Sequence, residues 1–163
     1  MLPAPPRATF AELSAWILAR PTLTAALESW LLSRGRGRIG IDARILGSVG
    51  PKAATDPIRD ALRLVEGEEL FERRVALCQG ETVLAEASNI FAPLRMPDEI
   101  AKALKTDAVP FGRLIAPLGG HRLHMSAEIE REGRLLVHRA VVCLGDGTRM
   151  AVVEERILPA ALD

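Results

Sequence analysis

Two charged side chains stand on strand faces that are otherwise apolar. In FERRVALC, Phe71 to Cys78, side chains alternate across a strand, so Phe71, Arg73, Val75 and Leu77 share one side. Glu72, Arg74, Ala76 and Cys78 share the other, which makes Arg73 the charge on the more apolar face. AVVEERILP repeats the pattern near the C-terminus: Ala151, Val153, Glu155 and Ile157 fall together, while Val152, Glu154, Arg156 and Leu158 fall opposite. VLAEASNIF sets Asn89 on one side with Val83, Ala85, Ala87 and Phe91. Two chemistries fit these inward groups. Arg73 and Glu155 can form a buried ion pair and satisfy each other. Alternatively they line a polar pocket, with Arg73 clamping a carboxylate bidentately and Glu155 facing a hydroxyl or a proton to be moved. An inward amide such as Asn89 usually satisfies nearby backbone and fits either reading.

Other residue types offer less. Cys78 and Cys143 are far apart in strand-like segments without a CxxC spacing, which points to small buried residues and away from a zinc site or redox pair. His121 and His124 are three apart in a strand, hence on opposite faces, and share no metal. The run RGRGR, Arg34 to Arg38, has no interleaved aromatics and reads as a solvated turn, while Trp16 and Trp30 read as core. There is no P-loop or GxSxG motif, and Gly145-Asp146-Gly147 is hairpin chemistry.

The elements that must position these residues follow from periodicity. Thr9-Phe-Ala-Glu12 has capping-box spacing and starts a helix that runs to about Arg20, with Phe10, Leu13, Trp16 and Ile17 on one side. Pro21 interrupts it. TLTAALESWLLSR forms a second helix, with Gly35 suited to its C-terminal cap. From Arg38 the period becomes two, and Ile39, Ile41, Ala43 and Ile45 mark a half-buried strand. Residues 47 to 60, rich in Gly, Pro and Asp, read as a loop. Strands over 68–78 and 81–92 form a hairpin at Gln79-Gly80. A short helix fits Pro97 to Leu104, and VPFGRLI reads as a turn or short helical piece. Strands over 121–131, 134–144 and 148–158 complete a meander, turning at Glu132-Gly133 and Gly145-Asp-Gly147. The count is six strands, mostly hairpin-connected, with helices before and between them. That is an α+β fold with a six-stranded antiparallel sheet and helices on one side.

The whole chain is consistent with a single domain over 1–163. Its 163 residues suffice for a core without disulfides, and 48% apolar residues argue against disorder. With 21 acidic and 21 basic residues the net charge is zero, so no global attraction to nucleic acid or an anionic membrane is expected. No apolar run approaches the roughly 20 residues that cross a bilayer, and the prolines of MLPAPPRATF do not suit a signal peptide. A cytoplasmic monomer is expected.

Four stretches carry a resemblance. AWILARPTLTAALE, RRVALCQGETVLA, VPFGRLI and VVEERILP, taken in this order, resemble segments of the chorismate pyruvate-lyase family over roughly Leu13 to Leu162. In the second, an arginine stands five residues before a cysteine and precedes a Gly-Glu turn. In the last, a glutamate stands four residues before a proline. The resemblance implies helical flaps over an internal ligand site, with pyruvate eliminated from chorismate to leave 4-hydroxybenzoate. It sets the ligand-carboxylate arginine on Arg73 and the essential glutamate on Glu155, the residues that alternation also turns inward. Product-contacting positions fall near Leu23 and Phe111-Gly112. No metal or organic cofactor is implied. The chain departs from the family in the second hairpin strand, where a Gly-Arg pair is replaced by Ser88-Asn89. A second site arginine must then come from elsewhere, and Arg113 and Arg139 are candidates. Phe111 also replaces a leucine.

If the resemblance holds in full, Arg73 holds the ring carboxylate and Glu155 anchors the 4-hydroxyl and accepts the C4 proton. The missing Gly-Arg pair favours a rival: a non-catalytic module that binds a small aromatic carboxylate, like the effector domains of some bacterial transcription regulators. Those domains normally accompany a DNA-binding region, and none is read in these residues. A lyase acting on a related cyclic carboxylate is a further alternative. A hot-dog thioesterase would need one long helix within the sheet's curve, against the break at Pro21.

Overall fold

The computed structural model describes residues 3, 6–37 and 40–163, with the backbone alone at position 124. Arg38, Ile39 and the side chain of His124, all named above, lie outside the described residues.

The chain opens with helix α1 (Phe10–Leu18) and helix α2 (Leu23–Ser33), which meet at a corner around Pro21. The capping box is formed: Thr9 Oγ1 accepts from the Glu12 N–H, and the Glu12 carboxylate accepts from the Thr9 N–H at 2.7 Å. At the end of α2 the Arg36 N–H donates to Leu31 O and the Gly35 N–H to Leu32 O, with Gly35 at φ 73°. This is the Schellman arrangement, in which glycine takes a left-handed conformation that a Cβ would resist.

Strands β1 (Asp42–Ile45), β2 (Gly50–Lys52), β3 (Leu70–Gln79), β4 (Thr82–Phe91), β5 (His121–Glu130), β6 (Leu135–Cys143) and β7 (Arg149–Ile157) build one antiparallel sheet. Its order is β1-β3-β4-β7-β6-β5, with β2 also on β3. Six of these strands are those the sequence announces. The seventh, β2, lies in the segment read as a loop, and helix α3 (Asp56–Leu62) begins in it. Asp56-Pro57 looks like a breaker, but proline is favoured in the first helical turn, where its missing N–H is not needed. Helices α4 (Asp98–Thr106) and α5 (Phe111–Ile115) fill the connection between the two halves of the sheet.

The helices are not all on one side. Phe10, Leu13, Ile17, Leu27 and Trp30 pack on Val75, Leu77, Ala85, Leu136 and Ile157, while Leu104, Phe111 and Ile115 pack on Phe91, Val142 and Val153. Thus α1, α2, α4 and α5 cover one face. Leu62 and Ile58 of α3 join Val141, Ile90 and Val152 on the opposite face. No helix among the described residues is long and apolar enough to cross a membrane.

Candidate functional site

The covered face of the sheet is apolar except for a belt across its middle, fixed by strand register. Arg73 stands opposite Asn89, Asn89 opposite Val153, and Val153 opposite Ala140. In the neighbouring row, Val75, Ala87, Glu155, His138 and Ala127 are successive partners. Alternation therefore brings Arg73, Asn89 and Glu155 to one face, all three buried.

Arg73 and Glu155 do not pair. The Arg73 guanidinium, 0% exposed, donates from Nη2 to the carbonyls of Asp107, at 2.9 Å, and Val109. Its Nε and Nη1 have no acceptor, and neither does the buried Asn89 have a donor for its Oδ1. Burial lowers the Arg73 pKa to about 10, with Asp107 acting the other way, so the group remains a cation near neutral pH. A buried ion pair between Arg73 and Glu155 is excluded by these contacts.

Glu155 is paired with Arg122. Arg122 Nη1 donates to Glu155 Oε1 at 2.9 Å, and Nη2 donates to Ile17 O at 2.5 Å and Arg20 O at 2.8 Å. Burial raises the Glu155 pKa, and the charge and hydrogen bond of Arg122 oppose that rise. His138, the β6 partner of Glu155, bonds through Nε2 to Ser14 Oγ at 2.9 Å. Its buried Nδ1 has no partner. Burial and the nearby Arg122 hold its pKa down to about 4, so it is neutral near pH 7.

The flaps close over this belt. Leu23 and Thr24 at the start of α2, Thr22 before them, and Phe111 and Gly112 of α5 line one cleft together with Asn89, Arg122 and Glu155. Gly112 allows the two flaps to touch: a Cβ there would stand 2.8 Å from Thr22 Cβ and 2.9 Å from Thr24 Oγ1. The cleft measures about 400 Å³ with its mouth, but only about 20 Å³ of it admits the centre of a water molecule, room for roughly one water. Arg73 stands beside Asn89 on the neighbouring strand and is not among the lining side chains. A ligand reaching its free N–H groups requires the flaps to shift.

Leu23, Asn89, Phe111, Gly112 and Glu155 thus come together, with Arg73 adjoining. The proposed substitutes for a second arginine do not. Arg113 bonds Glu28 Oε1 at 2.7 Å and Ile41 O at 2.9 Å, outside the cleft. Arg139 lies on the opposite sheet face, against Glu154 and Glu128. The arginine that does line the cleft is Arg122. Leu123, Met125, Ala127 and Ile129 give β5 an apolar side on which Arg122 has no place. The strand carries a bulge between Leu123 and Ser126, however, so Arg122 faces the same way as Ala127. Thr22, Thr24 and His138 also escape a sequence reading; only the cap-forming position of Thr22 before a helix hints at its place. Arg36 of the RGRGR run is not simply solvated, since it bonds the carbonyls of Ala160 and Asp163. Among the described residues, no three His, Cys, Asp or Glu side chains gather as a metal site would need.

Comparison with known proteins bears on the fold. The crystal structure of PhnF from Mycobacterium smegmatis superposes with a TM-score of 0.62 at 10% identity, covering 88% of this chain and 66% of PhnF. The C-terminal domain of the histidine utilization repressor from Pseudomonas syringae gives 0.54 at 14% identity, covering 74% of this chain and 93% of that one. The fold is chorismate lyase-like. It is the fold of the PhnF effector domain, which alone superposes at 0.60 over 86% of this chain. The present chain spans slightly less than two-thirds of full PhnF. In sequence, the uncharacterized protein y4mC of Sinorhizobium fredii is 28% identical over 182 residues, covering 96% of this chain and 76% of y4mC. No family model matches the chain.

Proposed function

We propose that the chain is a binding module for a small cyclic or aromatic carboxylate, held in the cleft between the sheet and its two flaps. One observation carries this reading: Arg73 is a fully buried cation without a carboxylate partner, and two faces of its guanidinium are unused. A buried charge left with carbonyls alone is costly, and an incoming carboxylate would relieve it through charge-assisted hydrogen bonds. The apolar walls from Leu23, Val75, Phe111 and Val153 suit a ring. The likeness to effector domains supports the same reading.

Pyruvate elimination from chorismate is the second reading. What favours it is the meeting of Glu155, Leu23, Phe111 and Gly112 at one cleft, with Arg122 present as a second arginine. Against it, Glu155 Oε1 is already taken by Arg122, and the closed cleft has room for roughly one water.

The test is calorimetric titration of the purified protein with 4-hydroxybenzoate, beside chromatography of a chorismate incubation for pyruvate and 4-hydroxybenzoate. Binding without product above a no-protein control is the expected result. Absence of binding by both 4-hydroxybenzoate and chorismate would sink the reading.

A further inference from the structure

Asn89 is the polar side chain at the Arg73 end of the cleft, and the protein leaves its oxygen unsatisfied. Resting on the carboxylate-binding reading, we propose that Asn89 is a specificity-determining residue: its Oδ1 accepts a hydrogen bond from a donor on the ring atom next to the one that bears the ligand's carboxylate. The ligand class is then a cyclic monocarboxylate with an amino group adjacent to the carboxylate. The simplest aromatic example is 2-aminobenzoate.

The first observation is an acceptor without a donor. Asn89 is 2% exposed and lines the cleft, and its Oδ1 has no hydrogen-bond partner. A buried amide oxygen left unpaired is destabilising, and few are found in folded proteins without a reason. The backbone on both sides of Asn89 is already paired in the sheet, with β3 and with β7. Ala87 and Phe91, on the same face of β4, and Val153, its β7 partner, have apolar side chains and nothing to donate.

The second observation concerns Arg73, which stands directly opposite Asn89 on β3. Such partners lie on one face with their Cβ atoms about 5 Å apart. Arg73 nevertheless turns its Nη2 to Asp107 O and Val109 O, and its Nε and Nη1 are unpaired at the same time as Asn89 Oδ1. Idle donors beside an idle acceptor are the complement of a carboxylate with a donor next to it. A carboxylate alone would serve Arg73 and still leave Oδ1 without a partner.

The third observation is a charge count. The charged side chains lining the cleft are Arg122 and Glu155, and they are paired at 2.9 Å. Arg73 is therefore one cation for one anionic group, and the neighbouring group on the ligand is neutral. An amino group suits that position better than a hydroxyl. Either closes one hydrogen bond on its own carboxylate, but the amino group keeps a second N–H for Oδ1, whereas the hydroxyl has no hydrogen left.

The experiment is calorimetry at pH 7 on the full chain as wild type, Asn89→Leu and Asn89→Asp. The probes are 2-aminobenzoate, 2-methylbenzoate, which has the same outline without a donor, and 2-hydroxybenzoate. Wild type is expected to bind 2-aminobenzoate about tenfold or more tightly than either of the others. In Asn89→Leu the ratio of 2-aminobenzoate to 2-methylbenzoate should fall to about twofold or less. Its melting temperature should not drop, because an unpaired amide gives way to an apolar side chain of similar size. Asn89→Asp sets a carboxylate opposite Arg73 and should weaken all three probes by about tenfold or more. Equal affinity of wild type for the amino and methyl probes overturns this inference alone. So does an Asn89→Leu protein that melts early with its ratio unchanged, since Asn89 would then serve the fold. An Asn89→Asp protein that binds like wild type overturns the placement of Asn89 beside the free donors of Arg73. If Asn89→Leu does not fold, the wild-type ratio and Asn89→Asp decide. A wild type that binds none of the three probes, and no 4-hydroxybenzoate, overturns the carboxylate reading and the inference with it.

Discussion

Arg73 is held by backbone carbonyls on one side of its guanidinium and by nothing on the others. If it is a ligand clamp, Arg73→Met should fold with a melting temperature within a few degrees of wild type, since the change also removes an unpaired buried charge. Binding of 4-hydroxybenzoate should weaken by roughly 30-fold or more, as for loss of a charge-assisted clamp. Early melting with unchanged affinity would instead make Arg73 a strut for residues 107–109. His138 supplies a prediction about pH. Its folded pKa is about 4, below the roughly 6.5 of an unperturbed imidazole. Between these values the unfolded chain binds a proton that the folded chain refuses, so this group's contribution is complete above pH 6.5 and shrinks as pH falls toward 4. Glu155, whose pKa is raised, runs in the opposite sense: its contribution is lost as pH rises above its unfolded value. The two must be separated by difference. Relative to His138→Gln, wild type should lose on the order of 2 kcal/mol across that window in urea titrations. Equal slopes would show that His138 is protonated in the fold.

At the scale of elements, what a reader of the sequence can extract depends on whether the signal is local. The capping box, the glycine cap after α2 and the β3–β4 hairpin are each written within a few residues, and the structure has them all. The face of Arg122 depends on where one strand gains a residue relative to its neighbour, and β5 conceals that under an unbroken apolar alternation. Helix α3 was hidden for a related reason: a proline that starts a helix and a proline that forbids one look alike without the tertiary contacts of Leu62. Gly112 was placed near the site by resemblance, but its reason is steric and comes from α2. Gly112→Ala should cost about 1–3 kcal/mol in urea unfolding, because α5 must retreat from Thr22 and Thr24. The same retreat widens the cleft, so ligand selectivity should fall with stability. A loss of stability at constant selectivity would mean that the flaps move together without altering the site. Thr9→Ala offers the contrast, costing about 1 kcal/mol through its cap and leaving selectivity intact.

Across the molecule, the sheet separates two kinds of environment: a polar belt beneath closed flaps on one face, and charged side chains around α3 on the other. The fold was legible because six amphipathic strands and two capped helices admit few arrangements. Activity was not, because one fold supports both binding and chemistry, and the decision rests on the state of a few side chains. Elimination of pyruvate from chorismate breaks the ether C–O bond, removes the C4 proton to make the ring aromatic, and delivers a proton to the departing enolpyruvate. It therefore needs a base at C4 within a dry site. Glu155 is the carboxylate at the cleft, but one of its oxygens is held by Arg122, and the closed space must expand before a ring enters. We therefore expect 4-hydroxybenzoate to raise the melting temperature in a concentration-dependent way, as mass action requires of any ligand that binds only the folded state. Chorismate, with its similar carboxylate, should do the same while being converted no faster than in a no-protein control. If both products instead form above that control and disappear in Glu155→Ala, the Arg122–Glu155 contact must open during turnover. Arg122→Lys should then change the rate and its pH profile more than the affinity, which would mark the arginine as the setting of the base.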